Sequence, residues 1–330
     1  MPSKLPVRRW EAVLYLLGIV LLVHPSGADA QSLSAIPAAF LEDGPSPATA
    51  ALGQAGVASS AGIESVWANP AAATSVGRVQ FLFAYLDQFE LIEHGQAAVG
   101  FSSGNWGLGL HVRDSGDDAL RESVVRLSLA RRFGRLSMGA NAGLLLARFG
   151  RNTLNPDALA VFDPAEIAQG MANQIRGDAS GITGGFGVRY ALGRAALAAS
   201  VSNAVSYVQW ESAAASGAFA ASYRQSLPTA LWVGAQVPAG RQGLVLLDYA
   251  PALDSEIDDR LRAGLEWTLA GILALRAGTE RSLNGQPDEG VTFGFGLHLP
   301  PVAGVRVGAD YAYVDSYLGA SQHVAVRVGF

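Results

Sequence analysis

From Val79 to the last residue the chain alternates apolar positions with polar or small ones, in one short run after another. Leu261, Ala263, Leu265 and Trp267 alternate with Arg260, Arg262, Gly264 and Glu266. Val305, Val307, Ala309, Tyr311 and Tyr313 alternate with Arg306, Gly308, Asp310 and Ala312, and Val125, Leu127 and Leu129 with Arg126, Ser128 and Ala130. A strand has a period of two, so each run has one greasy face and one polar face. Fourteen such runs follow one another, from Val79–Asp87 to Ser321–Phe330, with Ile182–Leu192 and Arg194–Val205 in the middle. Links after even-numbered runs are tight, such as "FGR", "LGR" and "AG". Links after odd-numbered runs are mostly longer, with the extremes near 150–181 and 206–228. An even count and segregated loop lengths predict a transmembrane antiparallel β-barrel, with short turns at one end and long extracellular loops at the other.

The final run, "SQHVAVRVGF", carries the alternation to the last atom: Val324, Val326, Val328 and Phe330 on one face, His323, Ala325, Arg327 and Gly329 on the other. A barrel has no free edge, so this strand is expected to close the ring against Val79–Asp87. A charge on the lipid side at mid-depth costs about 2–4 kcal/mol, which assigns the strand charges to the lumen. These are Arg126, Asp248, Arg262, Glu266, Arg276, Arg306, Asp310 and Arg327. Tyr85, Trp106, Tyr190, Trp232, Tyr249, Trp267 and Tyr313 lie near run ends, as interfacial girdles require.

Composition narrows the setting. Half of the 330 residues are hydrophobic and 15% are charged, with a mean hydropathy of +0.24. Only one apolar run is long, Ala12 to Val23. It follows Lys4, Arg8 and Arg9 and precedes the "ADA" of Ala28–Ala30. Basic start, apolar middle and A-x-A end predict a signal peptide over residues 1–30, and so an exported protein. The absence of cysteine excludes a disulfide framework and thiolate metal sites. A net charge of −5 offers no basic face to nucleic acid.

Residues 31–78, between leader and barrel (79–330), are mostly small and cannot form a sizeable core alone. A fourteen-strand lumen has room for them as a plug. In "WANPAAAT" Asn69 can cap a turn, with Pro70 at the first helical position, and Trp67 stands ready to anchor the segment to the wall. The stretch "ALGQAGVASSAGIESVWANPAAAT" resembles the N-terminal signature of PorV/PorQ-type outer-membrane proteins, relatives of the FadL long-chain fatty-acid transporters. The similarity continues in order through "SLPTALWVGAQV", "LLDYA", "RLRAGLEW", "LALRAGTE", "GVTFGFGL" and the C-terminal "ADYAYVDSYLGASQHVAVRVGF". The resemblance implies a barrel of about 14 strands with a small N-terminal hatch in the bacterial outer membrane. It also implies that the terminal Phe330, after Val324, Val326 and Val328, is an assembly signal for the outer-membrane assembly machinery. For function it implies a non-enzymatic accessory of type IX protein secretion, with secreted cargo proteins or secretion-system components as partners. The alternative it implies is FadL-like transport of a hydrophobic small molecule. Lipid is a partner on either reading.

Local chemistry is sparse. His94, His111, His298 and His323 have no metal-ligand spacing, no G-x-S-x-G is present, and neither cofactor nor metal is expected. The glycines of "GITGGFG" and "GNWGLGLH" lack the following lysine and helix of a phosphate loop, and fit a bend or a close approach to the plug. Gly104, Gly107 and Gly109 are the candidate for a bend that opens the wall. The acidic loops Asp114–Asp118 and Asp254–Asp259 match no EF-hand and are expected to be solvated. In the longest loop Asp163–Pro164 signals a helix start. Ile167, Met171 and Ile175 follow at spacing four, predicting an amphipathic helix that caps the barrel or docks a partner.

Overall fold

The computed structural model describes residues 41, 44, 46–151, 163–253, 258–283, 290–316 and 319–330. The expected leader, part of the segment after it and residues 254–257 of the second acidic loop lie outside these.

Strands β1 (Val79–Gln88), β2 (Ile92–Ser103), β3 (Trp106–Gly116), β4 (Leu120–Phe133), β5 (Leu136–Phe149), β6 (Ile175–Leu192) and β7 (Ala195–Ala214) form an antiparallel meander. It continues through β9 (Ala230–Ala239), β10 (Gly243–Ala250), β11 (Arg260–Leu269), β12 (Leu273–Ser282), β13 (Val291–His298), β14 (Arg306–Ser316) and β15 (Gly319–Gly329). The ring closes where β1 pairs with β15, from Gln80 opposite Gly329 to Gln88 opposite Ser321. These fourteen strands are a closed antiparallel barrel, as the alternation predicts. A short β8 (Ala221–Gln225) lies outside the ring and pairs only with the far half of β7.

The outward face is apolar. Leu108, Leu110 and Val112 on β3, Val125, Leu127 and Leu129 on β4, and Val324 and Val326 on β15 are all exposed. Phe330 is exposed too, donates its backbone N–H to Val79 O at 3.0 Å, and meets the Phe81 ring edge-on. Water would not tolerate so continuous an apolar band, whereas lipid covers it. The inward partners of these residues, such as Ser128, Ala130, His323 and Ala325, are buried.

Two expectations change. Strands β6 and β7 start and end well beyond Ile182 and Val205, so β6 already begins at Ile175 and β7 runs on to Ala214, inside the spans expected as loops. In these extensions the outward positions Arg176, Asp178 and Ser180 are polar and exposed. Beyond the hydrocarbon an outward face need not be apolar, so the strand loses its lipid signature while keeping its hydrogen bonds. Trp232 is not a girdle residue: it points inward, buried, with the Arg262 guanidinium 3.8 Å and that of Arg260 5.2 Å from its ring centre. Its parity on β9 is that of Gly234 and Gln236, both also buried. By contrast Tyr85, Trp106, Tyr190 and Trp267 are exposed as girdle residues would be.

Candidate functional site

The lumen holds the chain's own N-terminal segment. Helix α1 (Pro47–Ala50), helix α2 (Ser65–Ala68) and a 3-10 turn (Pro70–Ser75) are almost wholly buried against inward-facing residues of the wall. Such short pieces do not hold as isolated helices, so the wall must supply their partners. Close approach depends on small wall residues. A Cβ on Gly107 would collide with the Ala73 backbone, and one on Gly139 would lie 2.6 Å from Pro70 C. Gly107 and Gly109 therefore do not open the wall: both sit in regular β3 ladders and make room for the segment. Gly104 is in the β2–β3 turn.

The segment's buried backbone groups need hydrogen-bond partners, and side chains around the ring provide them. Asp248 accepts from Gly56 N at 2.6 Å and Val57 N at 2.9 Å. Thr292 accepts from Gly53 N at 2.9 Å and Gln80 from Ile63 N at 3.0 Å. Arg189 donates to Ala58 O at 2.9 Å and His111 to Ile63 O at 3.2 Å. Asn69 caps the 3-10 turn by accepting from Ala71 N at 3.0 Å, with Pro70 following it. Its amide donates to Val57 O at 3.0 Å and Val188 O at 3.1 Å, joining segment to segment and segment to wall.

One side of the lumen is a chain of ion pairs. Glu266 accepts from Arg276 Nε at 2.7 Å, Arg276 Nη1 donates to Asp310 at 2.6 Å, and Arg327 lies 4.0 Å from Asp310. Arg327 then pairs with Glu64 of the segment, whose other oxygen accepts from Ser46 Oγ at 3.0 Å. Burial pushes the Glu64 carboxyl above its ordinary value, against the pull of Arg327. Arg262 pairs with Glu280 at 2.9 Å. The sequence-assigned lumen charges Arg126, Asp248, Arg262, Arg276 and Asp310 are buried, while Arg306 shares their parity but is exposed at the turn end. Glu64 escaped the sequence reading, although it is the one acid between Ser46 and Arg78.

The opposite side is apolar. Leu41, Trp67, Val124, Leu145, Ala179, Val208 and Leu227 form one buried cluster, with Ala147 and Trp210 against it. Trp67 donates to Leu41 O at 3.3 Å, meets His111 edge-on at 5.8 Å, and stacks under Arg126, whose guanidinium lies 4.0 Å from the ring centre. Toward the loop end Trp210 touches Phe149 at 5.9 Å and stacks on Tyr223 at 6.2 Å. Leu227 belongs to this cluster and also covers a break in the wall. Pairing of β7 with β9 runs from Ala196 to Ser202 and with β8 from Val208 to Ser212, which leaves residues 203–207 without ladder partners on that edge, while Val205, Ser206 and Tyr207 stay paired with β6 on the other. Side chains bridge the interruption: Asn203 donates to Pro228 O at 3.0 Å, Thr229 to Asn203 O at 3.1 Å, and Ser206 to Leu227 O at 3.2 Å. Asn203 has φ +54°, and the β6–β7 register shifts at Gly184/Phe186 at the same level.

At the loop end helix α3 (Pro164–Asn173) carries Ile167 and Met171 and is wholly unburied, capped by Asp163 accepting from Ala165 N at 2.7 Å. Ile175 is not on it: it opens β6, because the helix ends at Asn173.

No family model matches the chain, and no curated protein matches it either. Among solved structures the barrel is similar to the CymD monoaromatic hydrocarbon channel, with a TM-score of 0.55 and 15% identity over 86% of this chain and 96% of that one. The Pseudomonas putida toluene transporter TodX aligns with a TM-score of 0.53 and 14% identity over 87% and 96% of the two chains. A Pseudomonas aeruginosa FadL homologue gives 0.55 and 10% over 86% and 97%. The fold is that of the FadL-like barrels.

Proposed function

We propose that this chain carries apolar small molecules across a bacterial outer membrane, with residues 1–30 as a removed leader, residues 31–78 as the plug and residues 79–330 as the barrel. The observation that carries this reading is the apolar cluster. It runs from Trp210 and Phe149 at the loop end to Trp67 on the segment, and under Leu227 it borders the stretch of β7 that has no ladder partner on its β8/β9 edge. A water-filled pore would be lined by polar groups, and an apolar solute gains nothing from one. A greasy track that meets a hole in the ladder lets the solute pass from outside into the bilayer without crossing water. Two structures of similar fold, a toluene transporter and a monoaromatic hydrocarbon channel, point the same way. With the short turns in the periplasm, the C-terminal strand ends there, where Val324, Val326, Val328 and Phe330 would meet the assembly machinery.

The role in type IX secretion rests on motif resemblance, and the three similar structures described above do not favour the PorV/PorQ branch. One experiment separates the two. In a strain lacking the gene, uptake of an apolar probe such as radiolabelled toluene falls while secreted-protein release is unchanged. Normal uptake with failing secretion would overturn the proposal.

A further inference from the structure

Arg126 is a lumen charge of the apolar side that meets no acid among the described residues. It is 5% exposed, its neighbours on the same face of β4 are Val124 and Ser128, and its position opposite on β3 is His111. Its contact is the face of Trp67, and its Nε is buried without a hydrogen-bond partner among the described residues. No carboxylate of the described residues pairs with it. Ser128 Oγ, two residues along the same face, is also buried and unpartnered. A ring face offsets part of the desolvation of a guanidinium, and a water would satisfy its hydrogen bonds, but neither supplies a negative charge. The opposite side of the same lumen shows what the chain does with charges meant to stay closed: every guanidinium of the Arg276–Arg327 network meets an acid.

Resting on the transport reading above, we infer that Arg126 and Ser128 form the site for the anionic end of the transported molecule, and that this molecule is an aromatic acid rather than a neutral hydrocarbon. The carboxylate is the acceptor that Arg126 and Ser128 lack, and an Arg–carboxylate pair in an apolar surround is strong and directional. The aromatic body follows from the lining. A flat ring already lies on the guanidinium, in the form of the Trp67 indole, with His111 edge-on to it. Rings also mark the way in, since Tyr223, Trp210 and Phe149 touch in series and Trp210 packs on the same cluster. Offset and edge-on ring contacts favour an aromatic solute over a saturated one of equal size. With Trp67 in place Arg126 is covered, so the segment must shift for the acid to reach it.

The test is equilibrium binding of three probes of similar size to the full mature chain in detergent. They are 4-methylbenzoate, p-xylene (neutral) and 4-methylcyclohexanecarboxylate (charged and saturated), measured by calorimetry with wild type, Arg126→Gln, Arg126→Lys and Ser128→Ala. Wild type is expected to bind 4-methylbenzoate about tenfold more tightly than p-xylene, the ratio one charge-assisted hydrogen bond provides. Arg126→Gln removes that preference and leaves p-xylene binding within about twofold, and Arg126→Lys, which keeps the charge without the planar fork, retains only part of it. Ser128→Ala loses a smaller part. Arg126→Gln also keeps the heat-modifiable gel shift of a folded barrel, with a midpoint no lower than wild type, because it removes a buried charge that has no partner. Equal binding of 4-methylbenzoate and p-xylene in wild type, a preference that survives Arg126→Gln, or a saturated acid bound as tightly as the aromatic one would overturn the assignment while leaving apolar transport standing. Binding of none of the three would overturn both.

Discussion

The two sides of the lumen grip the same segment in opposite ways. On the side of β11 to β15, Glu266, Arg276, Asp310, Arg327 and Glu64 form a continuous run of paired charges that ends on the segment itself. On the side of β4 to β9, the segment offers Trp67 to Val124, Leu145, Ala179, Val208 and Leu227, and the wall beyond is incompletely paired. Ion pairs buried in a low dielectric are directional and tolerate little displacement, whereas apolar contacts are non-directional and can be exchanged for those of a solute. On the proposed transport function, one side serves as a hinge post and the other as a passage. A uniform plug would have been gripped alike all round.

The largest expected effect comes from Arg276→Ala. It leaves Glu266 without its cation and the buried Asp310 with only Arg327 at 4.0 Å, and should lower stability by about 3–5 kcal/mol, seen as an earlier midpoint for heat-induced loss of the folded band on unboiled gels. A cut on the apolar side should cost less. Leu145→Ala removes buried methyl groups without orphaning a charge, for about 2–3 kcal/mol by the same gel assay, and should weaken binding of an apolar probe, which Arg276→Ala should not do directly. If Leu145→Ala proved the more damaging to stability, the division between post and passage would be wrong. Asn69→Ala removes the cap of the 3-10 turn and two donated bonds, for about 2 kcal/mol, and should raise single-channel conductance in planar bilayers as the segment loosens. Arg306→Ala is the smallest change. Although it shares the parity of Asp310, its exposure at the turn end puts the expected shift within about 0.5 kcal/mol.

Most of the barrel was legible because lipid imposes a strict rule on every strand crossing it. Arg260 and Arg262 flank Leu261, and no soluble core is present to cover the greasy face, so strand, face and closure follow from alternation alone. The rule lapses outside the hydrocarbon, which is why β6 beyond Ile182 and β7 beyond Val205 read as loops. It says nothing about what fills the lumen. Trp232 looked like a girdle residue because a tryptophan near a strand end fits both an interface and a cation–π stack, and only its partner arginines decide. Asn69 and Pro70 signalled a turn through local chemistry, but the reach of Asn69 to Val188 spans more than a hundred residues of chain and leaves no local trace. Arg126 was legible as a lumen charge. That it lacks an acid could not be read, since pairing depends on which strands face each other across the segment.

The claim on which the rest depends is that the inner segment must leave the wall for an apolar solute to pass. The chain has no cysteine, and the Cβ that Gly109 lacks would lie 3.7 Å from Val66 Cβ, within the span of a disulfide. Cells carrying Val66→Cys together with Gly109→Cys should take up radiolabelled toluene at the background rate of the gene-deletion strain when oxidised, and at the wild-type rate after reduction with dithiothreitol. Equal uptake in the two states, with the cross-link verified by mass spectrometry, would contradict the account.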